Sequence, residues 1–174
     1  TLNDGIAPNN TNTMTKVRDS SAGAFSYAQD TITSVVGHTY IYETYVGKQV
    51  NPPTFPEFNM GATYFRFNTE TGEYLTNSTT MVDVEFMGDY WWIRFGRVAT
   101  ATSLVCTVYP AKGLTSDLAA PTALVTGSIH MAETRIRDTN GKTPFTGMLR
   151  AANSSYVPAT FPYLNTETDL VITP

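Results

Sequence analysis

Asp83 and Glu85 stand two apart in Met81-Val82-Asp83-Val84-Glu85-Phe86. On a strand that spacing puts both carboxyls on one face, about 7 Å apart. An inverting glycosidase holds its acid and base at such a separation. The same alternation also describes a solvated face, with Val82, Val84 and Phe86 turned to a core, so half of this strand is expected to meet water. Tyr90-Trp91-Trp92-Ile93-Arg94-Phe95 follows and alternates in the same way. It sends one Trp inward and, by alternation, one outward. An outward Trp92, with Tyr90 and Arg94 on its side, offers a sugar a flat apolar face and hydrogen-bond donors. The competing expectation is that a loop, a terminal arm or another subunit covers Trp92.

Other chemistry finds less support. The only histidines are His38, at a strand entry, and His130, inside a strand. A nucleophile triad needs a His beside Ser or Cys with an orienting acid, and no G-x-S-x-G elbow occurs. Cys106 sits in the strand-like run Leu104 to Tyr109, where a buried, inert thiol is expected. Gly141-Lys142-Thr143 lacks the glycine that a phosphate loop needs at position 136, which is Ile. Asp138-Thr139-Asn140-Gly141 resembles the opening of a calcium loop, yet position 147 is Gly where an EF-hand requires Glu. Asn140-Gly141 reads instead as a hairpin turn, with a loop-bound calcium left open. Two distant His and one Cys give no zinc spacing. No cofactor and no catalysis are expected.

The elements that must position these residues are strands. Threonine occurs 29 times in 174 residues, with 9 Phe, 10 Tyr and 2 Trp, and only 15% of the chain is charged. Period-2 stretches recur at Tyr40–Val46, Thr63–Phe67, Glu73–Leu75, Met81–Phe86, Tyr90–Phe95, Leu104–Tyr109 and Ser128–Ala132. Turn signals separate them about every 8–12 residues, and the best helical window, 114–124, carries Pro121. The pattern predicts an all-β antiparallel sandwich or jelly roll over residues 1–160. Three prolines bar 50–57 from a central strand. Residues 161–174 are expected to be an extended arm, with Tyr156, Phe161, Tyr163, Leu164, Leu170 and Ile172 as its assembly contacts. Threonine on the polar faces of strands accounts for the low charge.

Composition excludes several classes. With 21 aromatics the chain is no disordered tail, and no run approaches the 18 apolar residues of a membrane helix. Net charge is −4 and the 11 Lys and Arg are scattered, so neither nucleic acid nor membrane is expected as a partner. One cysteine precludes an internal disulfide. The start, Thr1-Leu2-Asn3-Asp4-Gly5, has no basic region before an apolar stretch, so no signal peptide is expected. It suits either a complete product trimmed of its initiator Met or a fragment of a longer protein.

The order of several segments resembles a known family. Val17 to Gln29, Tyr40 to Lys48, the hairpin Phe65-Arg66-Phe67-Asn68-Thr69-Glu70-Thr71-Gly72, the strand Val84 to Arg94, and Ser154-Ser155-Tyr156-Val157-Pro158-Ala159-Thr160 are similar to carbohydrate-binding-module-like jelly rolls of tailed-bacteriophage virion proteins. The strand Gly88-Asp89-Tyr90-Trp91-Trp92-Ile93-Arg94 resembles their "G-x-G-W-Y-R". Glu133-Thr134-Arg135 stands where the family carries Gln-Leu-Glu, and residues 138–153 and the tail are additional. The resemblance implies a non-enzymatic surface accessory of a virion, decorating a capsid or attached to a tail, made in the host cytoplasm. Its expected partners are other virion proteins and copies of itself, a trimer first, with weak adhesion to host-surface glycan. The alternative is a glycan-binding module of a tail fibre or of a polysaccharide-degrading enzyme.

Overall fold

The computed structural model describes residues 14–21, 23–50, 53–77, 81–114, 117–121 and 126–140. The assembly candidates Tyr156, Phe161, Tyr163, Leu164, Leu170 and Ile172 lie outside the described residues.

Among the described residues twelve strands form: β1 Thr15–Asp19, β2 Ala28–Thr33, β3 Thr39–Gly47, β4 Glu57–Met60, β5 Thr63–Phe67, β6 Tyr74–Thr76, β7 Met81–Phe86, β8 Tyr90–Val98, β9 Ser103–Tyr109, β10 Gly113–Leu114, β11 Asp117–Pro121 and β12 Gly127–Asp138. They pair antiparallel into two five-stranded sheets, β1-β12-β3-β8-β7 and β2-β9-β4-β5-β6, with β10 and β11 as a small hairpin. The chain is an all-β sandwich, as its alternation predicts, and no helix occurs among the described residues.

Alternation builds the core directly. Tyr42, Val46, Val84, Trp91, Ile93 and Phe95 of the first sheet meet Phe58, Met60, Phe65, Phe67 and Leu104 of the second, all buried. The aromatic rings interlock: Phe65 stacks on Phe95 at 5.5 Å and Tyr42 on Phe95 at 5.2 Å between centroids. Burying each such side chain stabilises the fold by about 1.5–3 kcal/mol. Cys106 belongs to this cluster, and burial pushes its thiol up to about 11, which suits an inert side chain.

Five strands escape the sequence pattern: β1, β2, β4, and the hairpin of β10 and β11, which overlaps the best helical window, 114–124. β1, β2 and β4 are short, and β4 lies centrally, between β9 and β5, immediately after the proline-rich loop. The prolines end at Pro56, so Glu57–Met60 keeps every ladder donor. β12 also runs further than its hydrophobic alternation suggests. Its register passes from Ala132↔Tyr45 to Arg135↔Glu43, so Glu133 and Thr134 together face Thr44. Glu133 adopts φ 51°, and the Thr44 hydroxyl bonds the Ala132 carbonyl at 3.1 Å and the Thr134 hydroxyl at 2.8 Å. This bulge reverses the facing of all later residues. Ile136 packs against the core, while Arg135 and Arg137 face outward with Glu43.

At one end of the sandwich, β12 is tied to the entry of β3. Asp138 accepts from the Tyr40 hydroxyl at 3.1 Å and the Asn140 amide at 2.7 Å, and lies 3.0 Å from His38 Nδ1. These bonds, His38 foremost, hold the Asp138 carboxyl below its ordinary 3.8. A depressed carboxyl stabilises the native state above its unfolded value and loses that contribution as pH falls through the folded one. Asp138→Asn is therefore expected to flatten the acid limb of stability against pH, read from urea midpoints between pH 7 and pH 2.5. Parallel profiles for variant and wild type would count against the assignment. Asp138 thus serves the turn, and Asn140 takes the positive φ of 51° that the turn requires.

Candidate functional site

The sequence candidates Tyr90, Trp92 and Arg94 lie together on the outer face of the β1-β12-β3-β8-β7 sheet. The antiparallel registers order this face in transverse rows. Asp83, Arg94, Glu43 and Arg135 form one, and Glu85, Trp92, Tyr45 and Ala132 the next. The first row alternates negative and positive charge across four strands. Arg94 pairs with Asp83, and Glu43 pairs with Arg135 and, at 3.0 Å, with Arg137.

The expectation that half of β7 meets water needs correction. Asp83 is 5% exposed, Arg94 3% and Glu43 1%, although all three face away from the core. Ion pairing is what makes such burial tolerable, since a lone carboxylate would lose its hydration uncompensated. Asp83 is thereby committed to Arg94, an unsuitable state for an acid or base acting on substrate. The guanidinium of Arg94 also lies 4.0 Å above the Trp92 ring. Trp92 stacks alongside Tyr45, 6.1 Å between centroids and 17° from parallel. Met14, Tyr45 and Ala132 form a small second core, and Tyr90 and Trp92 pack against it half-buried. The Trp92 ring faces outward, and against it lie Arg94 of its own strand and Tyr45 of β3.

Trp91 has a different task. Its indole Nε1 donates to the Thr69 carbonyl at 2.8 Å, and its ring meets Phe67 edge-on at 5.7 Å. Thr69 lies in the turn that Asn68 organises, accepting from the Glu70 and Thr71 amides through its side chain. Two of the segments behind the family resemblance, the Phe65–Gly72 hairpin and the Trp91 strand, are therefore packed on each other. They position structure.

A second arrangement was not visible in the sequence. On the outer face of the β2-β9-β4-β5-β6 sheet, Glu57 accepts from Arg66 Nε at 3.0 Å and pairs with Lys112. The Lys112 ammonium sits 3.9 Å over the Tyr109 ring, which Tyr27 meets at 5.3 Å and Phe25 at 5.9 Å. Burial first, then Glu57 and Tyr27, raises the Tyr109 phenol. Tyr27 is 56% exposed, so one ring of this cluster reaches solvent. Phe25, Tyr27 and Lys112 come from loops, which alternation cannot assign to a face. The registers Glu57↔Tyr109 and Ala28↔Val108 bring them to one place.

The edges are guarded. Edge strand β2 pairs only with β9, and the Asp30 carboxylate bonds the Thr31 amide of the same strand at 2.7 Å. Edge strand β1 carries Lys16 and Arg18. Charges on edges discourage strand addition. No group of three His, Cys, Asp or Glu among the described residues is placed to hold a metal. No protein-family model matches the chain, and no curated protein matches it as a relative.

Proposed function

We propose that the chain is a non-enzymatic accessory module of a bacteriophage virion surface, acting by protein–protein assembly. The observation that carries this reading is the outer face of the β1-β12-β3-β8-β7 sheet. Its functional groups are paired with one another, Asp83 with Arg94, Glu43 with Arg135 and Arg137, Trp92 with Tyr45, and of these Asp83, Arg94, Glu43 and Tyr45 are buried. A face so occupied serves packing and not the turnover of a substrate. The resemblance to virion jelly rolls supplies the setting. Sedimentation velocity of the full chain tests it, a homotrimer being expected at micromolar concentration. A monomer at every concentration, with no association with purified virions, would remove the proposal.

A glycan-binding reading is favoured by a separate observation, the exposed Tyr27 beside Tyr109 and Lys112. Aromatic rings beside polar side chains suit a pyranose face. A glycan array comparing wild type with Tyr27→Ala and Trp92→Ala decides it. Binding lost in Tyr27→Ala alone places the sugar on the second sheet, and a blank array for wild type ends this reading.

A further inference from the structure

Of the 11 asparagines in the chain, Asn140 alone is followed by glycine. We propose that Asn140 is a self-modification site, where the side chain loses ammonia and becomes aspartate or isoaspartate. The geometry singles it out as the sequence does, because the other described asparagines are held. Asn68 accepts from the Glu70 amide at 2.9 Å. Asn77 accepts from the Tyr64 amide and donates to the Ala62 carbonyl, both at 2.8 Å. The Asn59 amide nitrogen donates to Glu57 Oε1 at 3.0 Å. Asn140 is exposed, and among the described residues no hydrogen bond holds its side-chain amide.

The reaction requires the backbone nitrogen after an asparagine to reach that asparagine's Cγ. A side chain on the following residue crowds the approach, and Gly141 has none. With its proton taken by hydroxide, the Gly141 nitrogen attacks Asn140 Cγ and a new C–N bond forms. The Cγ–Nδ2 bond then breaks, and ammonia leaves with a proton drawn from water. Water opens the cyclic imide that remains, at either carbonyl, and nothing is oxidised or reduced. One opening gives aspartate; the other gives isoaspartate, with the main chain rerouted through Cβ. The turn does little to prevent this. Asp138 accepts from the backbone amide of Asn140 at 2.7 Å, on the N-terminal side of the reacting atoms, and leaves Cγ free to turn. The product carries a new carboxylate two residues from Asp138, whose own carboxylate already meets His38 and Tyr40. Isoaspartate also lengthens the main chain by a methylene where β12 ends.

The test incubates the full chain at mildly alkaline pH beside a synthetic peptide of residues 136–144. Peptide mapping by mass spectrometry locates the conversion, and enzymatic methyl transfer reads isoaspartate. Conversion is expected at Asn140, with Asn59, Asn68 and Asn77 unchanged. In Gly141→Ala the rate at Asn140 is expected to fall at least about tenfold, because the added methyl crowds the attack. The comparison among the asparagines of the wild-type chain needs no variant, so it decides even where Gly141→Ala folds poorly. An Asn140 as inert as Asn68 while the peptide converts, or a Gly141→Ala chain that converts as fast as wild type, would overturn the proposal. It is independent of the partner that either sheet meets.

Discussion

Gly72→Ala is expected to destabilise the chain by about 2–4 kcal/mol, the sum of a strained backbone and an overpacked core. Gly72 has φ +80°, and a Cβ there would lie 2.5 Å and 2.6 Å from two ring carbons of Trp91. Neither partner can yield cheaply. Trp91 is held by its bond to the Thr69 carbonyl and by Phe67 and Phe86, and the turn backbone is held by Asn68. Gly88→Ala is the matched control, because Gly88 has φ +79° with nothing within 4 Å of the added atom. It is expected to cost about 1 kcal/mol, the backbone term alone. Urea denaturation of both variants measures the difference. Equal losses would show that the Trp91 contact contributes nothing.

Arg94→Met is the second large effect, with an expected loss of about 3–5 kcal/mol. The substitution keeps length and apolar bulk but leaves Asp83 buried without its partner. It also removes the cation above Trp92. The double variant Asp83→Leu/Arg94→Met is expected to recover most of the loss, since paired replacement of buried ions by apolar groups is often near neutral. Recovery in the double variant identifies Arg94 as structural. A double variant as unstable as Arg94→Met alone would mean that Arg94 acts through other contacts, Trp92 first among them.

Most of the architecture was legible because exposed polar and buried apolar residues alternate wherever a strand is covered on one side. Tyr40–Val46, Thr63–Phe67, Met81–Phe86 and Tyr90–Phe95 all lie within strands whose inward residues form the core. β2 was hidden because its residues Ala28–Thr33 are almost all exposed, so no apolar alternation marks them. β4 was hidden by the adjacent prolines and by Glu57, whose charge is matched only by Arg66 and Lys112 from elsewhere in the chain. The candidate face was half legible. Alternation placed Trp92 and Arg94 on the side opposite Trp91, but which ions pair depends on register. Arg94 meets Asp83 across one ladder and Glu43 across the other, and no spacing within a single strand contains that information.

The extra residue in β12 decides which face the end of that strand presents. Before it, Ile129 and Met131 point to the core; after it, Ile136 does. The same residues paired one-to-one with β3, with no bulge, would turn Arg135 and Arg137 inward and Ile136 into water. Removing Glu133 or Thr134 alone would leave Arg135 opposite Glu43 and Ile136 on the core side, so what the two arginines require of β12 is an even count of residues against β3 and not the bulge itself.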